Sequence, residues 1–208
     1  DKGVKAATAQ GMYVIIDWHI LNDLTPVKHQ KEAKAFFKKV AKKYKNYGNI
    51  IYEICNEPNG GTNWDSIKSY AQSVIKTIRK YSSNSVIIVG TPNWSQDVDI
   101  VADSPITGYS NIMYALHFYA ATHKESYQEK YKTAISKGLP VFCSEFGTCD
   151  SSGNGSYDFN SANKWLDLLN SNHTPYCCWS LSNKAESASL LKPSCKKTGG
   201  FKKSNLSK

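Results

Sequence analysis

No apolar stretch in this 208-residue chain runs beyond five residues, the length reached from Met12 to Ile16. A bilayer-spanning helix takes roughly 18 to 20, so the sequence predicts no membrane partner. Arginine is nearly missing, with Arg79 alone among 26 basic residues. Base readout leans on arginine forks, so the formal charge of +9 argues for solvated lysine faces (Lys31, Lys34, Lys38, Lys39, Lys42, Lys43 and Lys45) rather than a nucleic-acid partner. What that charge leaves open is a weak, salt-sensitive attraction to an anionic polysaccharide or surface. No CxxC pair is present, which removes the usual sequence sign of a metal site. No GxGxxG or GxxxxGK[ST] loop follows the first predicted strand, which removes the main argument for a nucleotide cofactor. No basic and apolar leader precedes Asp1, so the chain reads as mature or as cut from something longer.

The composition that remains, 40% hydrophobic and 21% charged, is that of a globular domain with a sizeable core. Six cysteines divide by context. Cys55, Cys143, Cys177 and Cys178 lie in apolar runs and read as buried thiols. Cys149 and Cys195 lie among Ser, Gly and Lys, where an exposed thiol is a liability, and a Cys149–Cys195 disulfide is one expectation.

Strand and helix patterns alternate along the chain. Apolar runs at 12–17, 50–55, 86–90, 112–118, 141–144 and 176–180 predict six strands. Between them, helical spacing predicts helices over 30–44, 64–81, 126–137 and 160–170, with a short one over 96–102. Strands that are apolar almost throughout, each followed by a helix, indicate a parallel sheet covered by helices. Polar and aromatic residues close nearly every strand: His19, Asn56 and Glu57, Trp94, His117 and Tyr119, Glu145, Trp179. Side chains converging from several strand ends are the pattern of an α/β (β/α)8 TIM barrel. Six strands fall short of eight, so the chain is expected to represent that barrel incompletely.

Glu57 and Glu145 stand out because burying a strand does not require an acid at its end, and an ionised carboxylate near a core is costly unless used or paired. Two such acids suggest carboxylate-pair chemistry, of which glycoside hydrolysis is the commonest form.

The ordered motifs identify a family. Tyr13 to Leu21 (YVIIDWHIL), Ile51 to Gly60 (IYEICNEPNG), Val89-Gly90-Thr91 with Trp94 to Val98, Tyr114 to Tyr119 (YALHFY), Ser144 to Thr148 (SEFGT) and Trp179-Ser180-Leu181 with Lys184 and Glu186 together resemble glycoside hydrolase family 5, particularly bacterial-type endo-β-1,4-glucanases. The resemblance implies strands 3 to 8 of the barrel and one catalytic domain over 1–208, incomplete at both ends, with Lys2 to Gln10 ending the second helix.

It also implies roles. Glu145 would be the nucleophile and Glu57 the general acid/base, about 5 to 5.5 Å apart as double displacement with retention requires. Asn56 would hydrogen-bond the 2-hydroxyl of the sugar attacked, Tyr119 would hold Glu145, and His19 and His117 would stand beside sugar and nucleophile. Trp179 and Trp94 would stack on sugar rings, while Lys184 and Glu186 would contact hydroxyls. Trp18 and Trp165 are assigned to packing.

The implied protein is a secreted, extracellular monomer that needs no cofactor or metal and acts on a β-glucan polysaccharide or oligosaccharide. A β-mannanase or xylanase of the same family is the alternative within the class. A truncated, non-catalytic carbohydrate-binding remnant is the alternative outside it.

Overall fold

The computed structural model describes residues 1–207. Its elements follow the predicted alternation: α1 (Lys2–Ala9), β1 (Val14–Asp17), α2 (Gln30–Lys43), β2 (Ile50–Glu53), α3 (Trp64–Arg79), β3 (Ile87–Val89), α4 (Pro92–Ser95), α5 (Val98–Asp103), β4 (Ile112–Tyr119), α6 (Glu125–Ser136), β5 (Val141–Gly147), α7 (Phe159–Ser171) and β6 (Tyr176–Cys178). The strand order is β1-β2-β3-β4-β5-β6. Chain order without reversal is what a barrel-type sheet shows, whereas a doubly wound sheet reverses at a switch point. The six strands are consecutive members of a (β/α)8 architecture.

Two compact units divide the chain: residues 1–115 with 133–141, and residues 116–132 with those from 142 on. β4 and α6 each pass through both. In the first unit β1 pairs with β2, β2 with β3 and β3 with β4, all parallel. α3 begins where Asn63 accepts a hydrogen bond from Ser66 N at 2.9 Å, and it turns Ile67, Tyr70, Ala71, Val74, Ile75 and Ile78 inward. Tyr70 Oη donates to the Ile54 carbonyl just past β2 at 2.7 Å, and Phe37 of α2 stands edge-on to Tyr52 of β2 with centroids 6.2 Å apart. Arg79 is spent on structure. Its guanidinium donates to the carbonyls of Ser82, Ser85 and Ser110 at 3.1, 2.8 and 2.7 Å, tying together the loops that enter β3 and β4.

In the second unit β5 pairs parallel with β6. Trp165 of α7 is fully buried, stacked on Phe118 with centroids 4.2 Å apart, and its indole N–H donates to the His123 carbonyl at 2.7 Å. The packing role expected of Trp165 holds. Trp18, in the first unit, is part-buried and leans on Phe36 with centroids 5.4 Å apart.

Three expectations change. The helix expected over 96–102 starts two residues later, as α5 over Val98–Asp103, and it follows the short turn α4, in which Asn93, Trp94 and Ser95 take left-handed φ values of 56°, 57° and 57°. The last strand stops at Cys178, which is exposed rather than buried. No disulfide joins Cys149 to Cys195, and both are buried thiols. Cys149 packs under Tyr119 and Ala188 and forms an isolated bridge to Tyr157, so distant chain segments cover a position whose neighbours in sequence suggest exposure.

These placements sort thiol chemistry, since reagents attack exposed thiolates. Burial pushes the Cys55 and Cys143 thiols well above their usual range and raises Cys149 and Cys178 as well, so exposure is what sets Cys178 apart. In the native protein a thiol reagent is expected to modify Cys178 first, with Cys55, Cys143 and Cys149 reacting only on unfolding. Mass mapping after timed labelling checks this, and early modification of Cys149 would contradict its packing.

Candidate active site

The first unit delivers Glu57. The β1–β2 ladder runs on past both strands: Trp18 N donates to Glu53 O at 3.0 Å, Asn56 N to Trp18 O at 3.2 Å and Glu57 N to Ile20 O at 3.4 Å. The outgoing carbonyls are held too. Ser95 Oγ donates to Asn56 O at 2.7 Å, Asn59 Nδ2 to Glu57 O at 2.9 Å and Trp94 N to Pro58 O at 2.9 Å. With successive backbone groups accounted for, Glu57 sits on a fixed loop, part-buried just beyond the strand end. Gly90 permits this, since a Cβ there would collide with the Cys55 carbonyl.

Asn56 is buried, its amide donating to Ile20 O at 3.3 Å and lying 3.5 Å from His19 Nε2. His19 is exposed and its Nδ1 pairs with Asp17 Oδ2 at 2.7 Å, leaving Nε2 toward Asn56. Trp94 is 43% exposed, which is open surface rather than core for so large an apolar ring. Three successive left-handed residues carry it, and such conformations persist only where the surroundings enforce them. Here the hydrogen bonds of Trp94 N and Ser95 Oγ to the Glu57 loop do so.

The second unit delivers Glu145 from within β5. The carboxyl is buried, and Tyr119 Oη donates to its Oε1 at 2.8 Å. A donated O–H favours the ionised carboxylate and fixes its orientation. Tyr119 is held in turn by its backbone N–H, which donates to His123 Nδ1 at 2.8 Å. Gly147 makes room for its ring: an added Cβ would lie 2.5 Å from Tyr119 Cδ1. His117, 2% exposed, places Nε2 2.9 Å from Ser144 Oγ, one residue before Glu145. Trp179 is 39% exposed just past β6, with its N–H on Phe146 O at 2.9 Å. Lys184 and Glu186 pair with each other at 2.6 Å, the lysine outward and the glutamate sheltered.

Glu57, Asn56, His19 and Trp94 thus gather in the first unit, and Glu145, Tyr119, His117 and Trp179 in the second. Sequence reasoning passed over Asp17, Ser95, His123, Ser144, Gly90 and Gly147. Both glycines lay inside quoted motifs, and their lack of a side chain was the available signal.

The cellulase family model, glycosyl hydrolase family 5, matches residues 1–185. The chain belongs to glycosyl hydrolase family 5. It is similar to an endoglucanase of Clostridium saccharobutylicum, 50% identical over 206 residues that make up 99% of this chain and 46% of that protein. Endoglucanase A of Butyrivibrio fibrisolvens is 43% identical over 100% of this chain and 48% of its own length. The family 5 chain therefore spans about half the length of these curated relatives. Among solved structures, the catalytic domain of Thermobifida fusca endoglucanase Cel5A superposes with a TM-score of 0.93 at 39% identity, over 99% of this chain and 69% of that one. A variant of that domain in complex with cellotetraose superposes with a TM-score of 0.92 at 39% identity, over 98% and 68%.

Proposed function

We propose that the protein is an endo-acting β-1,4-glucanase that works by double displacement with retention. The observation that carries this reading is the Tyr119 Oη–Glu145 Oε1 bond at 2.8 Å, which orients a buried carboxyl group at a strand end. Family membership and the endoglucanase relatives support the choice of bond.

In the first step a Glu145 oxygen attacks the anomeric carbon while Glu57 gives its proton to the departing glycosidic oxygen. The glycosyl ester that forms carries no charge on Glu145. In the second step Glu57, now a carboxylate, takes a proton from water as that water attacks the same carbon and releases Glu145. Asn56 is assigned to the 2-hydroxyl of the attacked sugar, and His19 and His117 to the sugar and the nucleophile. Trp179 and Trp94, both exposed, offer apolar faces to glucose rings, and the Lys184–Glu186 pair meets hydroxyls further along. The residues need no cofactor for these steps. A glucan polymer is too large to enter a cell intact, which supports a secreted enzyme acting outside it.

In the full-length protein, Glu145→Gln is expected to lower reducing-end release from carboxymethylcellulose by more than about ten-thousandfold, beyond the usual ~10² to 10⁴ of one acid–base group alone. Undiminished release would remove Glu145 from the role. Faster release from a mannan or xylan by the unaltered protein would replace the glucan assignment.

A further inference from the structure

The first unit has a concave surface away from Glu57 and Trp94, on the side where the chain enters the strands. Segments 45–48 and 82–85 enter β2 and β3, whereas Glu57 and Trp94 leave them. Two cavities, of about 280 and 300 Å³, meet there at Tyr81. One lies between α2 and the end of α3 against Lys34, Lys38 and Lys80, and the other takes in Lys45 and Tyr47. No acidic residue lines either.

None of these four lysines makes an ion pair among the described residues, whereas lysines elsewhere find carboxylates: Lys43 with Asp1, Lys124 with Asp158, Lys164 with Glu125. Like charges lining the same cavities with no carboxylate beside them repel each other and gain from an anion that spans them. The rest of the lining fits sugar. Two tyrosine rings offer apolar faces, and Thr77, Asn46 and Asn84 offer hydroxyl and amide groups.

We propose that this groove binds a carboxylate-bearing polysaccharide, a polyuronate chain whose acid groups meet the lysines while its rings lie on Tyr81 and Tyr47. Placed at the far ends of the strands, it tethers the protein to an acidic matrix without competing for the Glu57 side. The site is separate from the catalytic reading and stands or falls without it.

The test is affinity electrophoresis of the full-length protein in gels containing polygalacturonate at low salt. Lys34→Ala/Lys38→Ala/Lys80→Ala is expected to weaken retardation at least tenfold and Tyr81→Ala several-fold. Alanine is the best helix former, so the changes at Lys34 and Lys38 of α2 keep the helix, and circular dichroism checks the fold of both variants. Lys196→Ala/Lys197→Ala/Lys202→Ala removes the same charge from exposed lysines elsewhere and is expected to change retardation less than twofold. Equal losses in the two triple variants would reduce the effect to net charge and overturn the proposal. Absence of retardation, or stronger retardation by single-stranded DNA lost in the first triple, would overturn it as well. Retardation needs no turnover, so an inactive Glu57–Glu145 pair leaves the readout intact.

Discussion

Glu57→Gln is expected to split the two steps of the reaction according to leaving group. A cellulose linkage departs as an alkoxide and needs a proton, so without the acid its cleavage should fall by roughly 10² to 10⁴. A dinitrophenyl cellobioside departs as a stable phenolate and needs none, so the first step on it should stay fast. The second step then lacks its base, and one equivalent of dinitrophenolate should appear as a burst followed by slow turnover. Azide attacks without losing a proton, so adding it should restore turnover and yield a β-glycosyl azide. The Glu145→Gln variant should show neither burst nor rescue with that configuration. Equal losses on both substrates in Glu57→Gln would mean that Glu57 does not act as a proton donor.

Gly147→Ala should damage the same reaction from a position that touches no substrate. The added methyl would lie 2.5 and 2.6 Å from the Cδ1 and Cε1 atoms of Tyr119. The backbone cannot easily retreat, because the Gly147 carbonyl accepts from Ala120 N at 2.8 Å while Tyr119 N is fixed on His123. The ring must move instead, taking its hydroxyl from Glu145. Misplacing a reacting group by about 1 Å can cost on the order of a hundredfold, so kcat should fall about that far with KM little changed. Overpacking should also cost about 1 to 3 kcal/mol of stability, which a melting curve reads separately. If Gly147 acts through the Tyr119 ring, the two changes should be non-additive: in a Tyr119→Ala background, Gly147→Ala should cost less than about threefold in kcat. A full hundredfold loss in that background would show that Gly147 acts by another route.

The fold was legible where local pattern and tertiary structure agree. Apolar strand runs and the inward stripe of α3 announce their burial because the same residues that favour each element also face its core. The glutamates were legible for the opposite reason, as charges where burial alone would place none. The 93–95 turn was not legible. Pro92-Asn93-Trp94-Ser95 contains no glycine, and its left-handed path is held by bonds to Asn56 and Pro58 some 35 or more residues away, as the separations of 39 for Ser95–Asn56 and 94 − 58 = 36 for Trp94–Pro58 show. Cys149 misled in the same way, since its Ser- and Gly-rich neighbours suggest exposure while Tyr119 and Ala188 cover it. His123 had no sequence signal at all. Its task is to accept a backbone N–H, which no motif records.

The central claim is that Glu145 forms a covalent bond to the sugar. A 2-deoxy-2-fluoro-β-cellobiosyl fluoride slows both steps but keeps a good leaving group, so the glycosyl ester should accumulate on the full-length protein. Peptide mass mapping should then place one cellobiosyl-sized adduct on the peptide carrying Glu145, and the adduct should disappear slowly as water hydrolyses the ester. An adduct on Glu57, or hydrolysis of the reagent with no adduct on any carboxylate, would contradict the account.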